Sequence, residues 1–259
     1  MTTSAPIRHF SHRSTNDQVF ALVTGGEDLR GQRILDVGAG EGYFSQRLGQ
    51  YIREQCGVAP ADILRACDRF PEAFQYPDVP CDPIDETGRL PYPDASFDTV
   101  IAVEVVEHVE DQFAFIRELY RVAKPRGRVF VTTPNLLNIN SRLRYLHSGF
   151  WLLFDPLPLR TEEIVHLQGH VSPITYYYLA FLFYRAGFAR VGVRYDRRKR
   201  SATVLAALLA PFVLSGNWLF HFRLRRKAPE RYRENAAILR DANSWDMLTR
   251  RSVIVEGVK

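Results

Sequence analysis

The segment ILDVGAGEG, residues 34–42, carries the clearest structural signal in this chain. Its apolar first half is typical of a short buried strand, and its glycine-rich second half opens a helix that runs to about Tyr51. Gly38 and Gly40 can adopt positive backbone angles and leave room for a ligand to approach the main chain. Such a strand and turn are typical of nucleotide-binding α/β sheets, although the same pattern also occurs as a plain tight turn.

Short apolar strands alternate with helical segments on both sides of this motif, which predicts a mainly parallel α/β sheet with helices on both faces. The helices are predicted at Glu110–Ala123 and Pro173–Ala186. The predicted strands are Arg33–Val37, Asp62–Cys67, Val79–Cys81, Asp98–Val103, Gly127–Thr132, Arg190–Tyr195 and Ser252–Val255. We therefore expect an N-terminal helical cap (1–30), a sheet domain (31–195 plus 251–259) and an insertion (196–250) between the last two strands.

The composition of the 259-residue chain, 46% hydrophobic and 24% charged, is that of a globular protein and excludes collagen-like, coiled-coil and wholly disordered chains. Three cysteines without a CxxC pair favour neither a disulfide framework nor a structural zinc site. No secretory signal is visible near the first residues. A cytoplasmic location is the expectation.

Asp68 directly follows the second predicted strand, where a carboxylate can bridge the two hydroxyls of a ribose. Together with Asp82 and the later segment LPYPDASFD (90–98), the motifs resemble the class I S-adenosylmethionine-dependent methyltransferases over roughly residues 30–190 and the last strand. The resemblance implies a Rossmann-like sheet of seven strands whose last strand is antiparallel. It also implies that Asp36, Gly38 and Gly40 contact the methionine part of S-adenosylmethionine. Asp68 would then hold its ribose and Asp82 its adenine amino group.

The run Glu104-Val105-Val106-Glu107-His108 places two carboxylates and an imidazole close together. It resembles two branches in which matching residues bind a divalent metal, the ubiquinone-biosynthesis O-methyltransferases and the small-RNA 3′-terminal 2′-O-methyltransferases. The first of these is the nearer in motif. The resemblance implies a Mg²⁺ or Mn²⁺ site formed by Glu104, Glu107, His108 and His170, with His166 as a substitute for His170. Without a metal, Glu104 contacts the cofactor and His108 or His170 is the candidate catalytic base.

The insertion concentrates the positive charge of the chain. The formal net charge is +5, but residues 190–233 contain twelve Lys or Arg residues and only two acidic ones. Inside this region, residues 202–220 are uncharged and basic clusters lie on both sides. Pro211 and the Ser215–Asn217 break favour an interfacial helical hairpin on an anionic membrane over a spanning helix. A buried helix pair over the active site is the alternative, and nucleic-acid binding is less expected.

The sequence therefore predicts a methyltransferase that acts on a hydroxyl of a small, lipid-linked or amphiphilic acceptor. Quinone precursors and lipid-linked glycans are the candidate acceptors, and the enzyme would lie on the inner face of the membrane as a peripheral protein. Two alternatives stay open: a terminal 2′-O-methyltransferase of RNA, and a cofactor-binding regulatory subunit without catalysis.

Overall fold

The computed structural model describes residue 7 and residues 12–25, 28–159 and 169–259. Within these ranges, one sheet contains seven strands in the order β3-β2-β1-β4-β5-β7-β6. The strands are β1 Ile34–Val37, β2 Leu64–Asp68, β3 Cys81–Pro83, β4 Phe97–Ala102, β5 Ala123–Pro134, β6 Arg190–Tyr195 and β7 Ser252–Val258. Strands β1 to β5 are parallel to one another, whereas β7 is antiparallel to both β5 and β6. This arrangement confirms the predicted α/β sheet and its antiparallel last strand.

Ten α-helices are present in the described ranges. They are α1 Arg13–Thr24, α2 Tyr43–Tyr51, α3 Pro60–Ile63, α4 Gln112–Val122, α5 Ile139–Ser148, α6 Tyr176–Ala186, α7 Arg200–Lys227, α8 Pro229–Glu234, α9 Ala236–Asp241 and α10 Trp245–Thr249. Helix α4 begins later than predicted because the Asp111 side chain accepts a hydrogen bond from the Ala114 amide at 2.8 Å and caps the helix there. Strand β3 begins at Cys81 instead of Val79, since Pro80 has no amide hydrogen to donate to a strand ladder.

Helices cover both faces of the sheet because successive strand residues point to opposite sides. On one face, Val100 and Val129 pack with helices α4 and α6 in a cluster that includes Leu119 and Phe183. On the other face, the neighbouring residues Ile101 and Phe130 belong to a cluster that includes Val19 of α1 and Leu48 of α2. Helix α1, which lies in the predicted N-terminal cap, therefore packs on the sheet and contributes to its core.

The insertion differs from its prediction. Residues 200–227 form one continuous helix of 28 residues, so the expected hairpin and the break at Ser215–Asn217 are wrong. Only Ala202 and Ala206 of α7 are fully buried, against Ile139 and Leu248. Pro211 lies inside this helix and is exposed, so its ring meets water instead of packed neighbours.

The chain then returns along α7 through α8, α9 and α10. The Tyr232 hydroxyl lies 3.3 Å from Nδ1 of His221, and the Asn243 side-chain amide donates to Oδ1 of Asn217 at 2.7 Å. These contacts fix the returning segment against one side of α7 and leave its opposite side uncovered.

Candidate active site

The glycine turn after β1 forms one wall of a crevice at the carboxyl edge of the sheet. Gly38 has a φ of +69°, and a Cβ atom added there would lie 2.6 Å from Cγ2 of Val105. Gly40 has a φ of +54°, and an added Cβ would meet no described atom within 4 Å. Packing against Val105 and the positive φ therefore explain why position 38 is a glycine, whereas Gly40 combines a positive φ with open space. That open space is where a ligand can approach the main chain closely.

Asp68 holds this turn in place from the end of β2. One of its carboxylate oxygens accepts a hydrogen bond from the Gly40 amide at 2.8 Å, and the other accepts from the Phe70 amide at 2.8 Å. A carboxylate has about four lone-pair positions, so each oxygen retains capacity for a ligand hydroxyl.

Asp36 supports the same turn from the interior. It is 2% exposed, and its Oδ2 accepts a hydrogen bond from the Ser45 hydroxyl at 2.7 Å. Burial raises the pKa of Asp36 to about 7, and the nearby charge of Asp68 adds to this effect. The carboxyl of Asp36 thus bonds to α2, which makes it a support for the turn that bears Gly38 and Gly40.

Asp82 lies in β3 and is oriented by a residue that the sequence analysis missed. The Tyr92 hydroxyl lies 2.8 Å from Oδ2 of Asp82 and 2.9 Å from the carbonyl oxygen of Ala66. Burial raises the pKa of Tyr92, so its hydroxyl stays protonated as a donor. The segment LPYPDASFD was recognised in the sequence, and its tyrosine positions the carboxylate predicted to meet the adenine.

Glu104 follows β4 with a strained backbone, at a φ of +56°. Its amide donates to the Thr132 hydroxyl at 2.9 Å, and that hydroxyl donates in turn to Oε1 of Glu104 at 3.3 Å. Burial raises the pKa of Glu104 to about 7, and the positive charge of Arg251 opposes the shift. The carboxylate of Glu104 therefore points along the sheet edge toward β5 and β7.

Glu107, His108 and His170 form a compact group beside Glu104. Glu107 and His108 lie in a 3₁₀ turn, Val106–His108, and one donor atom from each of the three residues lies within 4.8 Å of the others. Glu107 is completely buried, and neither of its carboxylate oxygens has a hydrogen-bond partner in the described part of the chain. Burial, together with repulsion from Glu104, raises the pKa of Glu107 well above its ordinary value.

The two imidazoles of this group face each other, with ring centroids 4.9 Å apart. Nδ1 of His108 lies 3.0 Å from the Gly169 carbonyl oxygen, and Nδ1 of His170 is buried without a partner among the described residues. Partial desolvation lowers the pKa of both histidines, and their mutual proximity lowers that of His170 further. Both rings are therefore neutral near pH 7, the form that accepts a proton or binds a metal.

Three of the four residues predicted to bind a metal come together, and Glu104 lies outside the group because its carboxylate is bonded to Thr132. His166, the predicted substitute, lies outside the described residues. The buried oxygens of Glu107 and Nδ1 of His170 fit a cation, since unpaired buried polar atoms are otherwise costly.

Arg251, directly before β7, is a further residue that the sequence analysis missed. Its amide donates to Oδ1 of Asp196 at 3.1 Å, and its charge lowers the pKa values of Glu104 and His170. A basic residue directly before the last strand was the available signal, because an antiparallel strand begins at the edge where its parallel neighbours end.

Comparison with known proteins identifies residues 35–131 as a methyltransferase domain. A probable S-adenosylmethionine-dependent methyltransferase of Mycolicibacterium smegmatis is 33% identical over 113 residues, which are 42% of this chain and 41% of that protein. The mitochondrial ubiquinone biosynthesis O-methyltransferase of Bos taurus is 33% identical over 134 residues, 48% of this chain and 34% of that protein. The chain thus spans less than half the length of these curated relatives.

The fold is also that of solved methyltransferases. A SAM-dependent methyltransferase from Archaeoglobus fulgidus matches with a TM-score of 0.54 at 14% identity, over 94% of this chain and 92% of that one. At this identity the likeness concerns the fold alone. The predicted resemblance to class I S-adenosylmethionine-dependent methyltransferases is confirmed by the domain match and by the fold.

Proposed function

We propose that this chain, which carries a class I methyltransferase domain, transfers a methyl group from S-adenosylmethionine to a hydroxyl group of a lipid-linked or amphiphilic acceptor at a membrane surface. A quinone precursor or a lipid-linked glycan has the required chemistry. The observation that carries the proposal is that the glycine crevice and the neutral imidazoles of His108 and His170 share one edge of the sheet, where Val105 packs on Gly38 and the turn with His108 follows directly.

The residues of the crevice suit the cofactor. Gly40 leaves open space beside the main chain, and Asp68, which accepts from the Gly40 and Phe70 amides, retains lone pairs for ribose hydroxyls. Asp82 is oriented by Tyr92 to accept a hydrogen bond from an amino group. Bound S-adenosylmethionine supplies a methyl group on a sulfonium with a good leaving group, so alignment of the acceptor is the main requirement. The rigid turn held by Asp68 provides that alignment on the cofactor side.

The acceptor hydroxyl must lose its proton, and His108 is arranged to receive it. Since the Gly169 carbonyl oxygen can only accept, the hydrogen bond to it places the proton of neutral His108 on Nδ1. Nε2 of His108 is then the basic nitrogen. His170 lies against it and also against the ring of Phe154, whose centroid is 4.9 Å away. Either imidazole can accept the proton without first losing one of its own, because both pKa values are lowered by burial.

As an alternative to a histidine base, Glu107, His108 and His170 would hold Mg²⁺ or Mn²⁺, since mixed oxygen and nitrogen donors suit a hard or borderline cation. Such a cation would lower the pKa of an acceptor hydroxyl bound to it. The bovine relative is named an O-methyltransferase, which favours an oxygen acceptor over a nitrogen or carbon one.

The uncovered side of α7 supports action at a membrane surface. Within the described ranges, α7 is the one helix that is long and apolar enough to cross a membrane, and only 6% of its most apolar stretch is buried. Leu208 and Phe212 are 71% and 80% exposed, and basic clusters lie at both ends of the helix. Charged α8 returns along the end of α7 through Tyr232, so insertion across the hydrocarbon would carry charges with it. Docking on the surface avoids that cost.

A turnover assay tests the proposal by following S-adenosylhomocysteine formation with quinol, glycolipid and RNA pools, with lipid acceptors presented in anionic vesicles. We expect product with a lipid-borne hydroxyl, its loss in His108→Ala and His170→Ala, and full activity in the control His147→Ala, whose side chain is exposed on α5. Loss of activity in excess EDTA, with recovery in Mn²⁺, would support the metal. Turnover with RNA alone would favour the 2′-O-methyltransferase, and cofactor binding without turnover in any pool would favour the regulatory subunit.

A further inference from the structure

An open groove of about 400 Å³ lies between α5 and α7, away from the glycine crevice. Its walls are apolar, with Leu143 and Leu146 from α5 and Leu209, Phe212 and Val213 from α7. This volume lies at the lower end of the range of about 300–1,000 Å³ that is typical of small-molecule sites. The shape and lining suit one hydrocarbon chain.

One end of the groove contains a positive charge without an anionic partner. The Arg142 guanidinium donates to the carbonyl oxygens of Leu137 and Ala242 and to the side-chain oxygen of Asn243, at 2.7, 2.9 and 2.7 Å. All three acceptors are neutral, and no carboxylate of the described ranges forms an ion pair with Arg142. Burial lowers the pKa of this arginine, which reflects the cost of its unpaired charge. Two of its five N–H groups remain available, one on each terminal nitrogen.

We infer that the groove binds the hydrocarbon chain of an anionic amphiphile, such as an alkyl or prenyl phosphate, whose anionic group pairs with Arg142. A guanidinium with an N–H free on each terminal nitrogen matches the two oxygens of a phosphate or carboxylate. The basic clusters at the ends of α7 give the same surface a potential that attracts anions. The inference rests on the proposed function and deepens it, because it assigns the lipid part of the acceptor a place on the protein.

The groove is connected to the catalytic imidazoles through α5. Ser141, next to Arg142 in sequence, accepts a hydrogen bond from the Leu152 amide at 3.0 Å. That loop carries Phe154, which packs on His170. An amphiphile held by Arg142 would therefore lie on the helix whose other contacts reach the proposed base.

Calorimetry on the full chain with dodecyl phosphate, below its micelle concentration and without vesicles, tests the groove. We expect saturable binding of one dodecyl phosphate, and no measurable binding of inorganic phosphate. Gly216→Leu should weaken binding of dodecyl phosphate at least about tenfold. Gly216 lines the groove, an added Cβ there meets no described atom within 4 Å, and leucine favours a helix, so the variant should fold. The matched control Ala207→Leu adds the same side chain at an exposed position of α7 outside the groove.

Arg142→Gln separates the charge from the apolar walls. We expect this variant to bind dodecyl phosphate about tenfold to a hundredfold more weakly and to bind dodecanol with unchanged affinity, since only dodecyl phosphate pairs with the guanidinium. Equal affinity of Gly216→Leu and Ala207→Leu for dodecyl phosphate would overturn the inference, as would equal binding of dodecyltrimethylammonium by the wild-type chain.

The affinity of S-adenosylmethionine in Gly216→Leu should stay unchanged, which separates this test from that of the proposed function. If no acceptor pool supports turnover while dodecyl phosphate still follows the expected pattern, the proposed function fails and the groove stands. If turnover is found and Gly216→Leu binds dodecyl phosphate normally, the groove fails and methyl transfer stands.

Discussion

Asp36, which supports the turn of the glycine crevice, makes stability depend on pH. Burial raises the pKa of this carboxyl from 3.8 to about 7, so the folded chain binds the proton more tightly than the unfolded chain does. Its contribution to stability is therefore complete below about pH 4 and is lost as the pH rises through about 7. Asp36→Asn removes this dependence and retains an acceptor for Ser45.

We expect urea denaturation of the chain without cofactor to show Asp36→Asn gaining about 2–4 kcal/mol relative to the wild type between about pH 4 and about pH 8. Asp28→Asn, on an exposed aspartate, is the control and should follow the wild-type curve. Parallel curves for Asp36→Asn and the wild type would show that Asp36 ionises in the folded chain like an ordinary aspartate.

Asp68 serves both the glycine turn and the proposed ribose site. We expect Asp68→Ala to reduce the binding free energy of S-adenosylmethionine by about 1–3 kcal/mol, because it removes a charged acceptor and frees the Gly40 amide. Titration calorimetry measures this loss, with Asp28→Ala as a control outside the crevice. An unchanged affinity in Asp68→Ala would remove this residue from the cofactor site.

That Gly38, Gly40, Asp68 and Asp82 would lie near one another could be predicted from the sequence, because strand ends converge on one edge of a parallel sheet, whatever the exact contacts. The group of Glu107, His108 and His170 was harder to predict. The spacing of Glu104, Glu107 and His108 does not specify the backbone between them, and the chain leaves β4 with Glu104 at a positive φ and enters a 3₁₀ turn only afterwards. The orientation of Glu104 depends on Thr132, a partner 28 positions away that no local pattern indicates.

Helix α7 shows where local breakers mislead. Proline inside a helix removes one hydrogen bond and disfavours the preceding turn, which together cost about 3 kcal/mol of helix stability. Neighbouring turns and tertiary packing can offset this cost. Here Ala202 and Ala206 anchor the first turns, and three basic residues in the last turn, Arg225 to Lys227, complement the helix dipole. Pro211 and the Ser215–Asn217 segment therefore predicted a hairpin where the chain forms one continuous helix.

Pro211→Ala should make α7 more stable. Pro211 is exposed, so the substitution removes no packing and restores a donor to the Ala207 carbonyl oxygen. We expect the free energy of unfolding to rise by about 1–3 kcal/mol, measured by urea denaturation and by helical circular dichroism. Ala210→Gly, one position earlier in the same helix, should shift both readouts in the opposite direction. A loss of stability in Pro211→Ala would indicate that the proline ring packs against a neighbour.

For the molecule as a whole, we expect the chain to float with anionic vesicles at low salt and to detach at high salt, because each basic residue near such a surface contributes about 1 kcal/mol that salt screens. A triple variant, Leu208→Glu with Phe212→Glu and Trp218→Glu, should lose flotation. The control triple variant, Phe113→Glu with Tyr178→Glu and Tyr184→Glu, changes exposed aromatic residues on α4 and α6 and should still float.

Equal flotation of the two triple variants, or none by the wild type on anionic vesicles at low salt, would contradict membrane docking. The acceptor would then be expected from the soluble pool, and the alternative of a buried helix pair would not account for α7, which is one largely exposed helix. Attachment that resists both salt and carbonate would instead indicate a helix that spans the bilayer.

The alternation of strands and helices predicted the sheet, since it reflects burial on both faces. The contacts that place the insertion were beyond a sequence pattern. Asp196 illustrates this: its buried carboxylate accepts hydrogen bonds from Ser14 on α1 at 3.1 Å and from the Ser252 amide at 2.8 Å, which joins three distant parts of the chain. Bonds between residues that far apart leave no periodic signal.

The position of β7 between β5 and β6 imposes an order on folding during synthesis. Val258 pairs with both Arg128 and Arg190, so β6 can join the sheet only after the ribosome has released the residues of β7. All of α7 is translated in this interval. The nascent chain therefore exposes the long helix α7, with its apolar stretch, while one strand edge is still unpaired, and a bilayer or a chaperone can contact that helix before the sheet is complete. During translation, we therefore expect the contact of α7 with a membrane to be coupled to the completion of the sheet. The denatured full-length protein should in turn refold slowly in solution without a membrane.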